Sequence, residues 1–143
     1  MWDDLTPFLV GAGPTSTVLD PDGTPNNILD TAVGGSVQVD WSFSGSATGF
    51  LVVVNFIVDL YADPVGPGMN IQVGENQVLG SAPLPSPPAA PNSYSTSFPI
   101  APGMAPGAYR LTTLVTTVLT GTTTTLPIAG FVDGPIIQVR PGP

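Results

Sequence analysis

The sequence predicts an all-β protein, an antiparallel β-sandwich of about 7–9 strands, and two observations carry that expectation. β-Branched and aromatic residues recur with a period of two, most fully in Pro106 to Thr120. There Tyr109, Leu111, Thr113, Val115, Thr117 and Leu119 fall on one face, and Arg110, Thr112, Leu114, Thr116 and Val118 on the other. Between such runs, 17 glycines and 18 prolines punctuate the 143 residues and set the turns. A chain of this length buries roughly 68–70% of its unfolded surface, enough for one core.

Residues 1–14 read as an N-terminal arm or edge strand, with Trp2, Phe8 and Val10 on one face as candidate assembly contacts, before a break at Gly11, Gly13 and Pro14. The remaining 15–143 read as a single sandwich domain. Thr15 to Leu19 is a short strand. Ser36 to Ser44 alternates Val37, Val39, Trp41 and Phe43 with Gln38, Asp40, Ser42 and Ser44, so one face is core and the other faces solvent or a partner. Phe50 to Ala62 is apolar on both faces, which suits the centre of a covered sheet or a subunit contact.

Ile71 to Val73 and Gln77 to Leu79 read as two weak strands around Gly74-Glu75-Asn76. Ser81 to Asn92, with five prolines, reads as an extended crossover between the sheets. Ser93 to Ile100 alternates Tyr94, Thr96, Phe98 and Ile100 with an all-serine outward face. After Pro106 to Thr120, Gly121 turns the chain into Thr122 to Ile128. Gly130 to Pro135 breaks it again, and Ile136 to Arg140 is the last strand.

Pro106, Gly107, Tyr109 and Leu111 form a Pro-Gly-x-Tyr-x-Leu stretch. It resembles the opening of the penultimate strand in bacterial immunoglobulin-like and fibronectin-III-like sandwiches. The resemblance implies an Ig-like antiparallel sandwich in which Tyr109 closes a corner by bonding its hydroxyl to upstream backbone. The chain lacks cysteine, so no disulfide packs on Trp41. A fold shared so widely does not itself imply a function.

Charge narrows the function classes. Only 8% of residues are charged, against a usual share of about 25%, and there is no lysine. Between Pro64 and Val132 the charged residues are Glu75 and Arg110. Ten acidic residues against two arginines, net −8, argue against nucleic acid and against anionic membrane surfaces, since both need cationic contacts. The most apolar segment, Phe50 to Tyr61, is interrupted by Asn55 and Asp59 and falls short of the ~20 residues of a membrane helix. The N-terminus has no cationic flank, so no signal peptide is visible.

Catalysis needs a nucleophile with its base, a carboxylate pair or a metal. Without histidine, lysine or cysteine no hydroxyl has an activating partner, and carboxylate pairs such as Asp3/Asp4 or Asp40/Asp59 have no cleft marked around them. No enzyme is expected, and no cofactor apart from one calcium candidate. Asp20, Asp22, Asn26 and Asp30 put carboxylate and amide oxygens around Gly23, and calcium takes about six to eight such ligands. The spacing departs from an EF-hand, and Asp-Pro-Asp-Gly is equally a plain turn.

Two non-enzymatic expectations follow. One is a structural protein, a self-assembling homo-oligomeric subunit of a filament, surface layer or shell, extracellular or at the cell surface, because a monomer normally guards its strand edges with charge. The other is an Ig-like binding or adhesion module that recognises carbohydrate or protein through its loops.

Overall fold

The computed structural model describes residues 10–45, 51, 53–66, 70–80 and 92–141. Eight strands follow in order: β1 (Val10–Leu19), β2 (Ile28–Asp30), β3 (Gly35–Ser44), β4 (Val54–Pro64), β5 (Ile71–Leu79), β6 (Asn92–Ile100), β7 (Gly107–Leu119) and β8 (Thr125–Arg140). They make a three-stranded sheet, β1-β3-β6, and a five-stranded sheet, β2-β8-β7-β4-β5. Every pairing is antiparallel except β2 with β8. The two sheets face each other as a sandwich.

β7 lies at the middle of the larger sheet, with Val115 between Val58 of β4 and Gly130 of β8. Its alternation decides its faces: Tyr109, Leu111, Thr113, Val115 and Thr117 are buried, while Arg110 and Leu114 are exposed. β3 does the same in the smaller sheet, burying Val37, Val39, Trp41 and Phe43. Phe56 of β4 fills the centre, its ring 5.4 Å from Trp41, 4.7 Å from Tyr94 and 5.9 Å from Phe43. Such offset and edge-on contacts add to the stabilisation from burial alone. The Tyr109 hydroxyl donates to the Ala105 carbonyl at 2.7 Å, an upstream backbone contact that ties the start of β7 to the preceding turn.

Side chains close the two flanks of the sandwich. On one, the Ser16 hydroxyl donates to the Gly134 carbonyl at 2.9 Å, joining β1 to β8. On the other, the Asn76 amide donates to Thr96 Oγ1 and to the Ser97 carbonyl, each at 2.8 Å, joining β5 to β6. Beside it Phe98 packs so close to Gly74 that a Cβ there would lie 2.8 Å from Phe98 Cδ1.

Several boundaries differ from expectation for identifiable reasons. The first strand begins at Val10, not Thr15: Gly13 and Pro14 form a bulge, with the register shifting between Ala12 and Thr15, and the ladder continues through them. Residues 10–14 are therefore part of an edge strand of the smaller sheet, one of the two readings of 1–14, and residues 1–9 lie outside the described residues. β4 starts at Val54, although Leu51 before it is buried. The two weak strands around Gly74 are one strand, β5, whose register shift absorbs an extra residue opposite Leu60/Tyr61.

The segment read as Thr122 to Ile128 enters a strand only at Thr125, and from there it and Ile136 to Arg140 are likewise one 16-residue strand, β8, held by β7 across shifts that accommodate Gly130 to Pro135. β2 has no counterpart in the sequence reading. Residues 81–91 lie outside the described residues, but the strands they join, β5 and β6, belong to different sheets.

Candidate functional site

The acidic loop between β1 and β3 is built from turns. The Asp20 N–H donates to the Thr24 carbonyl and the Gly23 N–H to the Asp20 carbonyl, closing Asp-Pro-Asp-Gly. Asp22 Oδ1 accepts from the Thr24 N–H at 3.0 Å, and the Thr24 hydroxyl, then that N–H, hold the Asp22 carboxyl below its ordinary value. Asn26 Oδ1 accepts from the Ile28 N–H and Asp30 Oδ1 from the Ala32 N–H at 2.7 Å.

All four candidate ligands, Asp20, Asp22, Asn26 and Asp30, line one hollow of about 360 Å³. Asp20 meets Asn26, at 3.3 Å, and its side chain also reaches that of Asp22, while Asp22 and Asp30 cap separate turns. Among the described residues no three acidic side chains converge as a metal would need. Asp20 Oδ1 is buried without a hydrogen-bond partner.

Of the candidate assembly contacts, Trp2 and Phe8 lie outside the described residues. Val10 opens β1 opposite Ser44. Asp40 and Asp59, a carboxylate pair by sequence, project from the outer faces of different sheets and cannot act on one bond. Asp3 and Asp4 lie outside the described residues.

The structure pairs Asp59 with Glu75 instead, directly opposite each other on β4 and β5. Burial, and then the neighbouring Glu75, push the Asp59 carboxyl above its ordinary value, and Gln72 Nε2 donates to it at 3.4 Å. Sequence spacing carries no sign of this pair, which exists only through strand register.

The larger feature is the outer face of the five-stranded sheet. Its cross-strand rows read Gln77–Ile57–Thr116–Ala129, then Glu75–Asp59–Leu114–Phe131, then Gln72–Tyr61–Thr112–Asp133. Ile136 stands next to Arg110, whose guanidinium lies 3.7 Å from Asp133. Leu114 is 38% exposed, Leu79 49% and Ile136 51%, so the apolar side chains on this face are not confined to one strand. No described helix is long and apolar enough to cross a membrane.

No family model and no curated protein matches the chain significantly. Among solved structures, the CooA pilin subunit from enterotoxigenic Escherichia coli overlaps 91% of this chain and 100% of its own, with a TM-score of 0.39 and 10% sequence identity.

Proposed function

We propose that the chain is a non-enzymatic structural protein, a β-sandwich subunit that associates with copies of itself in a filament, surface layer or shell outside the cell or at its surface. One observation carries the reading: the outer face of the five-stranded sheet exposes Leu79, Leu114 and Ile136 beside half-buried Ile57 and Tyr61, where a soluble monomer places charge. Of its two arginines, Arg110 is already beside Asp133, and Arg140 donates to Gln138 at the end of β8. A second copy supplies matching apolar side chains, and burial of such area is the dominant driving force of association.

Light scattering on a sizing column, with negative-stain imaging of the same fractions, tests this. Species well above 14.6 kDa, with regular shape, are expected. A 14.6 kDa monomer at every concentration would overturn the proposal. Because Val10 to Gly13 are already paired with β3 or bulged against it, the truncation that tests arm exchange removes residues 1–9 and leaves β1 whole. Shorter polymers then assign the contact to the arm, and unchanged polymers assign it to the sheet face.

A further inference from the structure

We propose that the outer face of the three-stranded sheet holds a binding groove for neutral carbohydrate, centred on Asp40. The groove crosses β1, β3 and β6 and encloses about 430 Å³, within the range of about 300–1,000 Å³ usual for small-molecule sites. Two cross-strand rows line it, Thr15–Asp40–Ser95 and Ala12–Ser42–Ser93. The β1 bulge sits at its margin, where Gly13 and Pro14 both fall opposite Trp41. Gly13 has φ +85°, and a Cβ there would lie 2.9 Å from the Asp40 carbonyl, so glycine is what lets β1 close on β3 at this point.

The lining selects the ligand by its chemistry. Thr15, Ser42, Ser93 and Ser95 bring hydroxyls that both donate and accept, and Asp40 brings an acceptor-only carboxylate. Gln38 Nε2 donates to Asp40 Oδ1 at 3.1 Å and Oδ2 at 3.4 Å, which fixes the carboxylate on the groove floor. Its cross-strand neighbours are Thr15 and Ser95, and both arginines belong to the other sheet, so no cation neutralises it.

A carboxylate with unused lone pairs among hydroxyls suits a ligand rich in hydroxyl donors. The same charge repels phosphate and acidic sugars. Trp41 and Tyr94 are 3% and 4% exposed, so neither ring serves as a stacking platform. Recognition therefore runs through hydroxyl edges, on the face opposite to the one assigned to self-association.

Saturation-transfer NMR on the full chain, with methyl α-mannopyranoside, methyl β-galactopyranoside, maltotriose and sialic acid as probes, tests the groove. Transfer to at least one neutral saccharide and none to sialic acid is expected. Asp40→Asn should weaken that binding by about tenfold, the loss of a charge-assisted hydrogen bond, and Ser95→Gln, which fills the groove beside Asp40, should abolish it. Both positions point outward, and circular dichroism confirms that each variant folds. Absence of transfer to every neutral saccharide overturns the proposal, as does equal transfer to sialic acid, or wild-type binding in both variants.

Discussion

The two outer faces of this sandwich are both poor in large charged patches and present opposite surfaces: the smaller sheet carries one charge, Asp40, and the larger sheet sets its few charges among exposed apolar side chains. On β1, β3 and β6 the outward positions are small and hydroxylated, and they surround a groove with one fixed carboxylate. On β4, β7 and β8 they include Ile57, Leu114 and Ile136. A whole-chain charge deficit therefore says little by itself. Hydroxyls keep the smaller sheet hydrated, whereas the exposed apolar side chains of the larger sheet would gain free energy by losing water, and on that difference rest the two proposals, a copy of the chain for the second face and a polar ligand for the first.

The sharpest way to break that contrast is to place the same charge on each face. Thr116→Glu sits between Ile57 and Ala129 on the apolar face, and where that face packs against its own copy the contact would oppose like charges. Like-charge juxtaposition in an interface costs several kcal/mol, so association should weaken by at least about a hundredfold. Ser95→Glu, on the hydroxylated face, should leave it unchanged. Analytical ultracentrifugation of the two variants decides; equal losses would mean that both faces, or neither, form the contact.

The second test concerns the seam where the two sheets meet. Gly74 of β5 lies under Phe98 of β6, and Phe98 is fully buried with nowhere to swing. Gly74→Val forces that ring outward and should cost about 1–3 kcal/mol of stability, as overpacking does. Gln77→Val, on the exposed outward side of the same strand, should stay within about 0.5 kcal/mol of the wild type. Urea titrations read both. An unaffected Gly74→Val would show that the sheets are not locked together there and that their outer faces can shift relative to each other.

How much of this was legible depended on whether a feature was local. β3, β6 and β7 were readable because alternation is a property of consecutive side chains and their burial follows it residue by residue. β2 was not, since three residues inside a turn-rich loop become a strand only through Gln138 N–H donating to Asn27 and Thr31 N–H to Arg140, at the far end of the chain. Gly74 and Gly130 to Pro135 read as breaks because glycine and proline usually are. Here one is demanded by Phe98 and the others sit in a strand that β7 holds.

The candidate sites follow the same rule. The acidic loop was visible as a sequence cluster, yet its oxygens mostly cap its own turns. The Asp40 groove and the Asp59–Glu75 pair draw on strands far apart in the chain, and no spacing announces either.

The smallest expected effect concerns the one carboxylate pair on the apolar face. Asp59 lies between Glu75 and Leu114 in the same cross-strand row, and Arg110 faces Asp63 and Ile136 and contacts Asp133 instead. Burial first, and Glu75 second, raise the Asp59 carboxyl above its ordinary value. A carboxyl with a raised folded pKa contributes stability that is fully present below its unfolded value and is lost as pH rises through the folded one. Wild type should thus lose stability across that window, while Asp59→Asn, which cannot ionise, should not.

At pH 7 the variant should be the more stable by about 0.2–0.5 kcal/mol, a figure kept small because the pair is largely hydrated and screened. Added salt should narrow the gap. Thermal melts from pH 3 to pH 7 measure it, and parallel curves for the two proteins would show that water, not Leu114, surrounds the pair. Removing the charge should also tighten self-association at neutral pH, because a copy seated on this face must otherwise strip water from two adjacent carboxylates. Unchanged association in Asp59→Asn would move the contact off this row of the sheet and toward Ile57 and Thr116.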